Sequence, residues 1–388
     1  MTDSETFEQF DASIEKNGVE SGLRFLEQRF RESKEFHRLF DVLKMKSRRE
    51  LGLSLLHQVD DPPLNQETQT KLESHVLEAC REIAKLHFAA GDLNDGWIYL
   101  QPLSDELFAK ELVEGIEVTQ DNFQAVIEIA FSHGVAPAFG YRLLLENSGT
   151  CDGITAFDMQ TMQFDRATIT ELASILLNHF YQELQANVVK QLQDAESKVV
   201  PSTTLSEMLK EHDWLVTDGG HHADPTHLAS VVRIARQTTT KDDWELAIAL
   251  TNYGSRLDED FQFAGDPPFE QTYQDHRIWF EALALGQTNA AIDHFKQKAE
   301  SAKGQPHELA AAEALIDLLI LTDQRDEAVD STVDRILPNL DPEELPAAAF
   351  EIANSGAQYQ KLSEAFRKQN NFVGYAFAVL CRQEQNVC

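Results

Sequence analysis

The chain has 388 residues, of which 42% are hydrophobic, a content that is ordinary for a folded protein and too high for a disordered one. Sixty-five acidic residues against 33 basic residues leave a formal net charge of -32 at pH 7. This charge repels nucleic-acid phosphates and anionic lipid surfaces, because binding to either relies on lysine and arginine. The composition argues against nucleic-acid and membrane partners and favours a basic partner or bound cations.

The sequence also predicts a location. No apolar run approaches the roughly 18 residues that would span a bilayer, and the start, MTDSETFEQF, lacks the basic and apolar regions of a secretory signal. The cysteines are widely separated and form no CxxC pair: Cys80, Cys151, Cys381 and Cys388. We therefore expect a cytoplasmic protein with free thiols.

The first part of the chain shows apolar residues at helical spacing from Phe7 to about Leu55. The Asn17-Gly18 pair breaks this pattern, since glycine readily adopts the left-handed backbone that closes a helix. Residues 59–66, VDDPPLNQ, are predicted to be a linker because proline lacks an amide donor and disfavours helix before it. Two predicted helix pairs follow, at 75–90 with 94–103 and at 122–132 with 137–146.

The middle of the chain is predicted to contain its longest helix. Residues 147–164 are rich in turn formers and are expected to be irregular. A helix at 166–197 then begins after Asp165, which would be its N-cap. One face of this helix is expected to be buried, because its apolar residues recur every three or four positions: Ile169, Leu172, Leu176, Phe180, Leu184, Val188 and Leu192. A central strut is the favoured interpretation, and a dimer seam is the alternative.

The last part predicts a short helix at 205–211, a histidine-rich loop, helices at 225–236 and 242–256, and an acidic loop at 258–271 before further helix pairs. No β-branched run alternates long enough to require a sheet. The predicted fold is all-α, a solenoid of antiparallel helix pairs, with a division into two lobes as a variant. The corresponding domains are an N-terminal lobe at 1–165, a connecting helix at 166–200 and a repeat-like lobe at 201–388.

A repeated pattern accompanies these helix pairs. In HRIWFEALALGQTNAAIDHFKQKAE, residues 276–300, Gly286 ends the first helix, Ala291 is small, and Phe295 is the aromatic residue four positions later. The small residue lets two helices approach, and the aromatic fills the groove between pairs. This segment resembles a tetratricopeptide repeat, and 314–337 and 81–103 are similar to it. The resemblance implies a solenoid with a concave surface that holds a peptide or protein partner.

The histidine loop, GGHHADPTH, concentrates side chains that can bind metals. His222, Asp224 and His227 form a predicted ligand set for a divalent metal such as zinc, iron or manganese, because three protein ligands with an open position are typical of catalytic sites. His221 would be a fourth ligand or an acid or base. Asp224 followed by Pro225 also predicts a helix start, in which Asp224 caps free amides and the site favours an anion.

Two further groups are weaker candidates. Cys151 could act as a nucleophile with His133 or a histidine of the loop as its base, although a buried structural thiol is the alternative. The acidic loop at 258–271 could bring carboxylates to the same cleft, and its alternative is a solvated connection.

The sequence thus predicts a cytoplasmic interaction or scaffold protein that binds a basic peptide or protein on an acidic concave surface. The first alternative is a metal-dependent hydrolase or lyase at the histidine loop. The second is an interaction module whose histidines sense pH. GxGxxG, GxxxxGK[ST], HExxH and GxSxG are all absent, so the dinucleotide, P-loop, zincin and serine-hydrolase classes have no local support.

Overall fold

The computed structural model describes residues 3–59, 61–196, 204–216, 220–341 and 347–385. Within these ranges the chain is helical and contains no strand, which confirms the all-α prediction. Among the described helices, none combines the length and the apolar composition needed to cross a bilayer. Contacts between Cα atoms divide the chain into two compact units, Met1–Asn147 (unit 1) and Ser148–Cys388 (unit 2). The domain boundaries predicted from the sequence, after residues 165 and 200, do not coincide with this division, and they stay predictions of domain organisation.

Unit 1 contains the α-helices α1 (Asp3–Glu32), α2 (Phe36–Glu50), α3 (Gln66–Ala90), α4 (Leu93–Leu100), α5 (Glu106–Glu114), α6 (Phe123–Ile127) and the first part of α7 (Pro137–Gln160). Helices α1 to α4 contact one another in chain order, and α4 also contacts α6. Its core surrounds Leu39, Ile83 and Val113, which are fully buried. Gly91 ends α3 with a φ of 85°, as the sequence predicts. Gly18 also has a left-handed φ, 68°, although helix α1 is assigned across it.

Unit 2 begins inside α7 and continues through α8 (Arg166–Glu196), α9 (Leu205–Glu211), α10 (Pro225–Ile234), α11 (Lys241–Gly254), α12 (Thr272–Leu285), α13 (Thr288–Ser301), α14 (Glu308–Leu321), α15 (Arg325–Ser331), α16 (Ala347–Ile352), α17 (Gly356–Lys368) and α18 (Phe372–Gln385). Helix α8 contacts α10 and α11. Asp165 caps α8 by accepting a hydrogen bond from the Thr168 amide at 2.8 Å, which confirms the predicted start. The predicted apolar face of α8 is buried from Leu172 to Leu192.

The prediction of an irregular segment at 147–164 is wrong. Helix α7 runs through most of it to Gln160, and a 3-10 turn at 161–163 follows. The interruption is confined to Gly149, whose φ of 79° and ψ of -177° lie outside the helical region. The other turn-forming residues of this segment are helical, and Gly149 alone adopts the backbone conformation that interrupts the helix.

In unit 2, the small and aromatic residues of the repeat pattern are packed in the interior. Gly286 ends α12 with a φ of 72°, and Ala291, Phe295 and Ala328 are all buried. Helices α12, α13, α14 and α15 contact one another in chain order. These features are compatible with stacked helix pairs, and the solenoid itself is part of the proposal made below.

Candidate functional site

Asp224, a predicted metal ligand, is the N-cap of α10. One carboxylate oxygen, Oδ1, accepts hydrogen bonds from the Thr226 amide at 2.8 Å, the Thr226 hydroxyl at 2.6 Å and the His227 amide at 3.4 Å. The hydrogen bond from the Thr226 hydroxyl is the main reason why the pKa of Asp224 is below its usual value. Asp224 therefore satisfies the free amides of a helix start, as the alternative interpretation of the sequence predicts.

His222 connects the histidine loop to two helices. Its amide donates to the Tyr253 hydroxyl at 2.9 Å, its Nδ1 lies 2.9 Å from the same hydroxyl, and its carbonyl accepts from Asn187 Nδ2 at 2.8 Å. Tyr253 is fully buried on α11, and burial raises its pKa to about 12. Burial also lowers the pKa of His222, with a smaller contribution from His221. The His222 ring is thus held as a neutral side chain that fixes the loop to the core.

The other two histidines of the loop point to no shared centre. His221 is exposed, and its ring centroid lies 4.9 Å from that of Phe261, while His227 is half-buried in the first turn of α10. Within the described parts of the chain, no group of three or more histidine, cysteine, aspartate and glutamate residues could hold a metal ion. The predicted set of His222, Asp224 and His227 therefore receives no support from the geometry.

Cys151 and His133 occupy different units. Cys151 is exposed on α7 in unit 2, immediately after the interruption at Gly149, so it lies on a helix and not in the loop that the sequence predicts. His133 belongs to unit 1, where its ring stacks on Trp97 with centroids 4.7 Å apart and an interplanar angle of 12°. The alternative of a buried structural thiol at Cys151 is wrong, because the side chain is exposed, and its pairing with His133 stays a prediction.

Unit 2 contains a cavity of about 440 Å³, which we call the Arg236 cavity. Its volume lies within the range of small-molecule sites, about 300–1,000 Å³. Four regions form its wall: the start of α8 at Arg166, α10 and the turn after it, the loop before α12, and α12 with α14. The side chains that matter below are Arg166, Arg233, Arg236, Asp266, Phe269, His276, Trp279, Glu313 and Asp317.

Arg236 is the most unusual of these side chains. Its guanidinium carbon lies 4.1 Å from the ring centroid of Phe269, and its Nε donates to the Arg233 carbonyl at 3.4 Å. No carboxylate of the described residues lies within the 4.0 Å that defines an ion pair with it. Burial, with a smaller contribution from Arg233, lowers the pKa of Arg236 to about 10. Arg236 is half-buried, and Asp317 and Asp266 oppose the shift of its pKa through space without forming an ion pair with it among the described residues.

Glu313 and Asp317 on α14 line the same cavity and carry the charge opposite to that of Arg236. Burial by surrounding protein raises the pKa of both, although the solvent of the cavity still reaches them. Arg166 and Arg236 oppose this rise at Asp317, but neither forms an ion pair with it among the described residues. The cavity thus presents cations and anions that its own residues do not join.

Two aromatic rings on α12 add unpaired polar atoms to the wall. His276 Nδ1 lies 2.6 Å from the Thr272 carbonyl and therefore donates to it, which leaves Nε2 as an acceptor. His276 Nε2 and the Trp279 Nε1 donor are buried without a hydrogen-bond partner in the described chain. Burial lowers the pKa of His276 to about 3, so its ring is neutral. Both atoms have almost no accessible surface, so they are not contacts open to a ligand in the cavity.

From the sequence, the acidic loop at 258–271 is a candidate to bring carboxylates to a cleft shared with the histidine loop. The structure places its residues 264–269 in the wall of the Arg236 cavity. Gly265 is required there, because a Cβ atom would lie 2.4 Å from the Phe269 carbonyl oxygen. The signal that could have indicated the cavity is the pair Arg233 and Arg236, three positions apart on one face in a strongly acidic chain.

Comparison of the chain with protein-family models, with curated proteins and with solved structures finds no match.

Proposed function

We propose that this protein is an all-helical interaction protein that binds a segment of a partner protein in the Arg236 cavity. The observation that carries the proposal is the separation of Arg236 from Asp317 and Glu313, oppositely charged groups that line one cavity without an ion pair among the described residues. Perturbed ionisable groups gathered in a cleft are characteristic of functional sites. A bound segment would supply the missing partners.

The neighbouring Arg233 differs from Arg236 in having a carboxylate partner. Arg233 donates from Nη2 to both carboxylate oxygens of Asp158, at 2.9 and 2.7 Å. Arg236, one turn further along the same helical path, receives no such carboxylate although it is more deeply buried. Leaving a buried charge without compensation costs folding free energy. A ligand that pairs with Arg236 would offset this cost when it binds.

The net charge supports a basic partner. A formal charge of -32 creates a negative field that attracts lysine-rich and arginine-rich segments and speeds their association. The solenoid of antiparallel helix pairs belongs to this proposal, as does the likeness to tetratricopeptide repeats. Ion pairs from Lys296 to Glu327 and from Lys361 to Asp330 support it, because they join α13 to α15 and α15 to α17.

The alternatives lack a comparable observation. A metal-dependent hydrolase or lyase needs a ligand set that the described residues do not supply, and Asp224 Oδ1 already accepts three hydrogen bonds. A histidine-based pH-sensing module needs a ring that gains a proton near neutral pH, whereas burial lowers the pKa of His222.

The proposal is tested with a positional-scanning library of fluorescent pentapeptides and anisotropy measurements on the full chain. Wild-type protein should bind a defined subset of peptides, and Arg236→Met should weaken their affinity by at least about tenfold, as removal of one partner of a desolvated charge pair does. Arg277→Met is the matched control, because Arg277 is on α12 outside the cavity and pairs only weakly with Glu281, at 3.9 Å. Equal binding by all three proteins would refute the proposal.

A further inference from the structure

We infer that the Arg236 cavity recognises a ligand that carries both a carboxylate and a cationic group, the combination that a basic peptide presents at its carboxyl terminus. The inference rests on the proposed function and specifies the chemistry of its ligand. It is carried by the placement of Arg236 and Phe269 on one wall and of Glu313 and Asp317 on another wall of the same cavity.

Arg236 is suited to a carboxylate. A guanidinium has five N–H donors in a planar fork, and only the Nε–H of Arg236 has an acceptor among the described residues. The guanidinium carbon lies 4.1 Å from the centroid of the Phe269 ring, a cation–π contact that helps to hold the side chain in the cavity wall. The free edge of the fork matches the two oxygens of a carboxylate, and such bidentate pairs are among the strongest hydrogen bonds in proteins.

Glu313 and Asp317 are suited to a cation. They occupy adjacent turns of α14, four residues apart, and therefore project from the same face. Asp317 raises the cost of ionising Glu313, since it contributes, after burial, to the raised pKa of Glu313. An ammonium or guanidinium group between them would relieve this repulsion. Apolar wall residues, among them Ala310, Ala314 and Leu321, offer a surface for the methylene stem of a lysine or arginine.

Other ligand classes fit less well. A phosphate would meet three carboxylates in the lining, Asp266, Glu313 and Asp317, and a chain with a net charge of -32. A free metal ion would meet Arg166, Arg233 and Arg236. A ligand that carries both signs of charge has a complement on each wall.

The test uses two pentapeptide libraries that differ only at the carboxyl terminus, one a free acid and the other an amide. Each is made with lysine or with uncharged norleucine at one position. For the wild-type protein we expect at least about tenfold tighter binding of the acid than of the amide, and of lysine than of norleucine. Arg236→Met should abolish the preference for the acid, and Glu313→Gln with Asp317→Asn should abolish the preference for lysine.

Arg236→Lys separates charge from shape, because lysine keeps the charge and lacks the planar fork. It should bind the free acids more weakly than the wild type, and circular dichroism checks that each variant is folded. A third arm uses acetylated peptides with an internal glutamate and an amidated end, which distinguishes a side-chain carboxylate from a terminal one.

The outcomes separate the two proposals. The inference would be overturned if peptides bound equally well as acids and as amides, with lysine and with norleucine, and with and without internal glutamate. This result would leave the proposed function in place. Free L-lysine that binds as tightly as the peptides, with the same dependence on Arg236, would uphold the ligand chemistry and overturn a peptide partner. Absence of binding by both libraries and by L-lysine would overturn both.

Discussion

Two consecutive residues of α12 belong to regions with opposite electrostatic character. Asp275, 1% exposed, accepts hydrogen bonds from the Gln271 amide, His294 Nε2 and Lys298 Nζ, each at 2.9 Å. His276, 2% exposed, lines the Arg236 cavity and keeps an unpaired Nε2 among the described residues. We call the first region the Asp275 network. Its buried charge is fully partnered, whereas the cavity leaves its charges apart.

The directions of the pKa shifts express the same contrast. Burial alone would lower the pKa of Lys298, but hydrogen bonds to Glu270 and Asp275 raise it above the ordinary value. In the cavity, burial prevails: it lowers the pKa of Arg236 and raises that of Asp317. The charged form is favoured by folding in the network and opposed by folding in the cavity. The network therefore stabilises the fold, and the cavity is available for a ligand.

The largest expected effect is at the network. Asp275→Asn should lower the free energy of unfolding by about 3 kcal/mol, because it removes a 1%-exposed carboxylate that accepts three hydrogen bonds and leaves Lys298 with one anionic partner fewer. Urea denaturation followed by circular dichroism measures this loss. The control is Asp293→Asn, an exposed residue of α13, which should change stability by less than about 0.5 kcal/mol. Similar losses in both variants would remove the distinction between network and surface.

The histidine loop should behave like the network. Tyr253→Phe removes the hydroxyl that accepts the His222 amide and leaves a buried donor without a partner, which should cost about 2 kcal/mol. Hydrogen exchange at the His222 amide should accelerate more than expected from the loss of global stability. Unchanged exchange would show that this hydroxyl does not hold the loop.

Asp224 should contribute only as a helix cap. Asp224→Ala should lower stability by about 1 kcal/mol, which is typical of losing an N-cap side chain. Asp224→Asn, which keeps the capping oxygen, should recover most of it. Elemental analysis of wild type and variants should give equal metal contents. A metal bound stoichiometrically by wild type and lost from Asp224→Asn would restore the metal-site hypothesis.

The smallest effect has the opposite sign. Because the folded-state pKa of Asp317 is raised, the native protein binds more protons than the unfolded chain as pH rises past the ordinary value of 3.8, and stability falls. Asp317→Asn should remove this loss and stabilise the protein at pH 7 by about 0.5 kcal/mol, the solvent of the cavity limiting the effect. The gain should vanish below the ordinary pKa. Denaturant unfolding of wild type and variant at pH 7 and at a pH below 3.8 measures the difference in stability. A variant less stable than the wild type at pH 7 would contradict the contrast between the Asp275 network and the Arg236 cavity.

Local features of the sequence were sufficient for much of the fold. The caps at Asp165 and Asp224, the buried face of α8 and the glycine end of α3 depend on residues within a few positions of one another. The segment around Cys151 was mispredicted because its turn-forming composition conceals a single break, at Gly149.

The Arg236 cavity was beyond local reasoning. Arg166, Arg236 and Asp317 are separated by dozens of residues and meet only in the folded unit. A sequence shows that arginines and carboxylates are present, but not that a particular pair remains apart. The metal hypothesis arose because His222, Asp224 and His227 are close together in the sequence. In the structure, His222 contacts the Tyr253 hydroxyl, whereas Asp224 accepts hydrogen bonds from α10 amides, so the two side chains have separate partners.

The most direct test of the central claim is the affinity of the library-selected peptides for Arg236→Met, measured on protein whose unfolding free energy is determined alongside. We expect stability equal to or above that of the wild type, because a desolvated charge is removed, together with at least about tenfold weaker binding. A variant that loses about 2 kcal/mol or more of stability and binds the peptides as tightly as the wild type would show that Arg236 is a structural residue and not part of a ligand site.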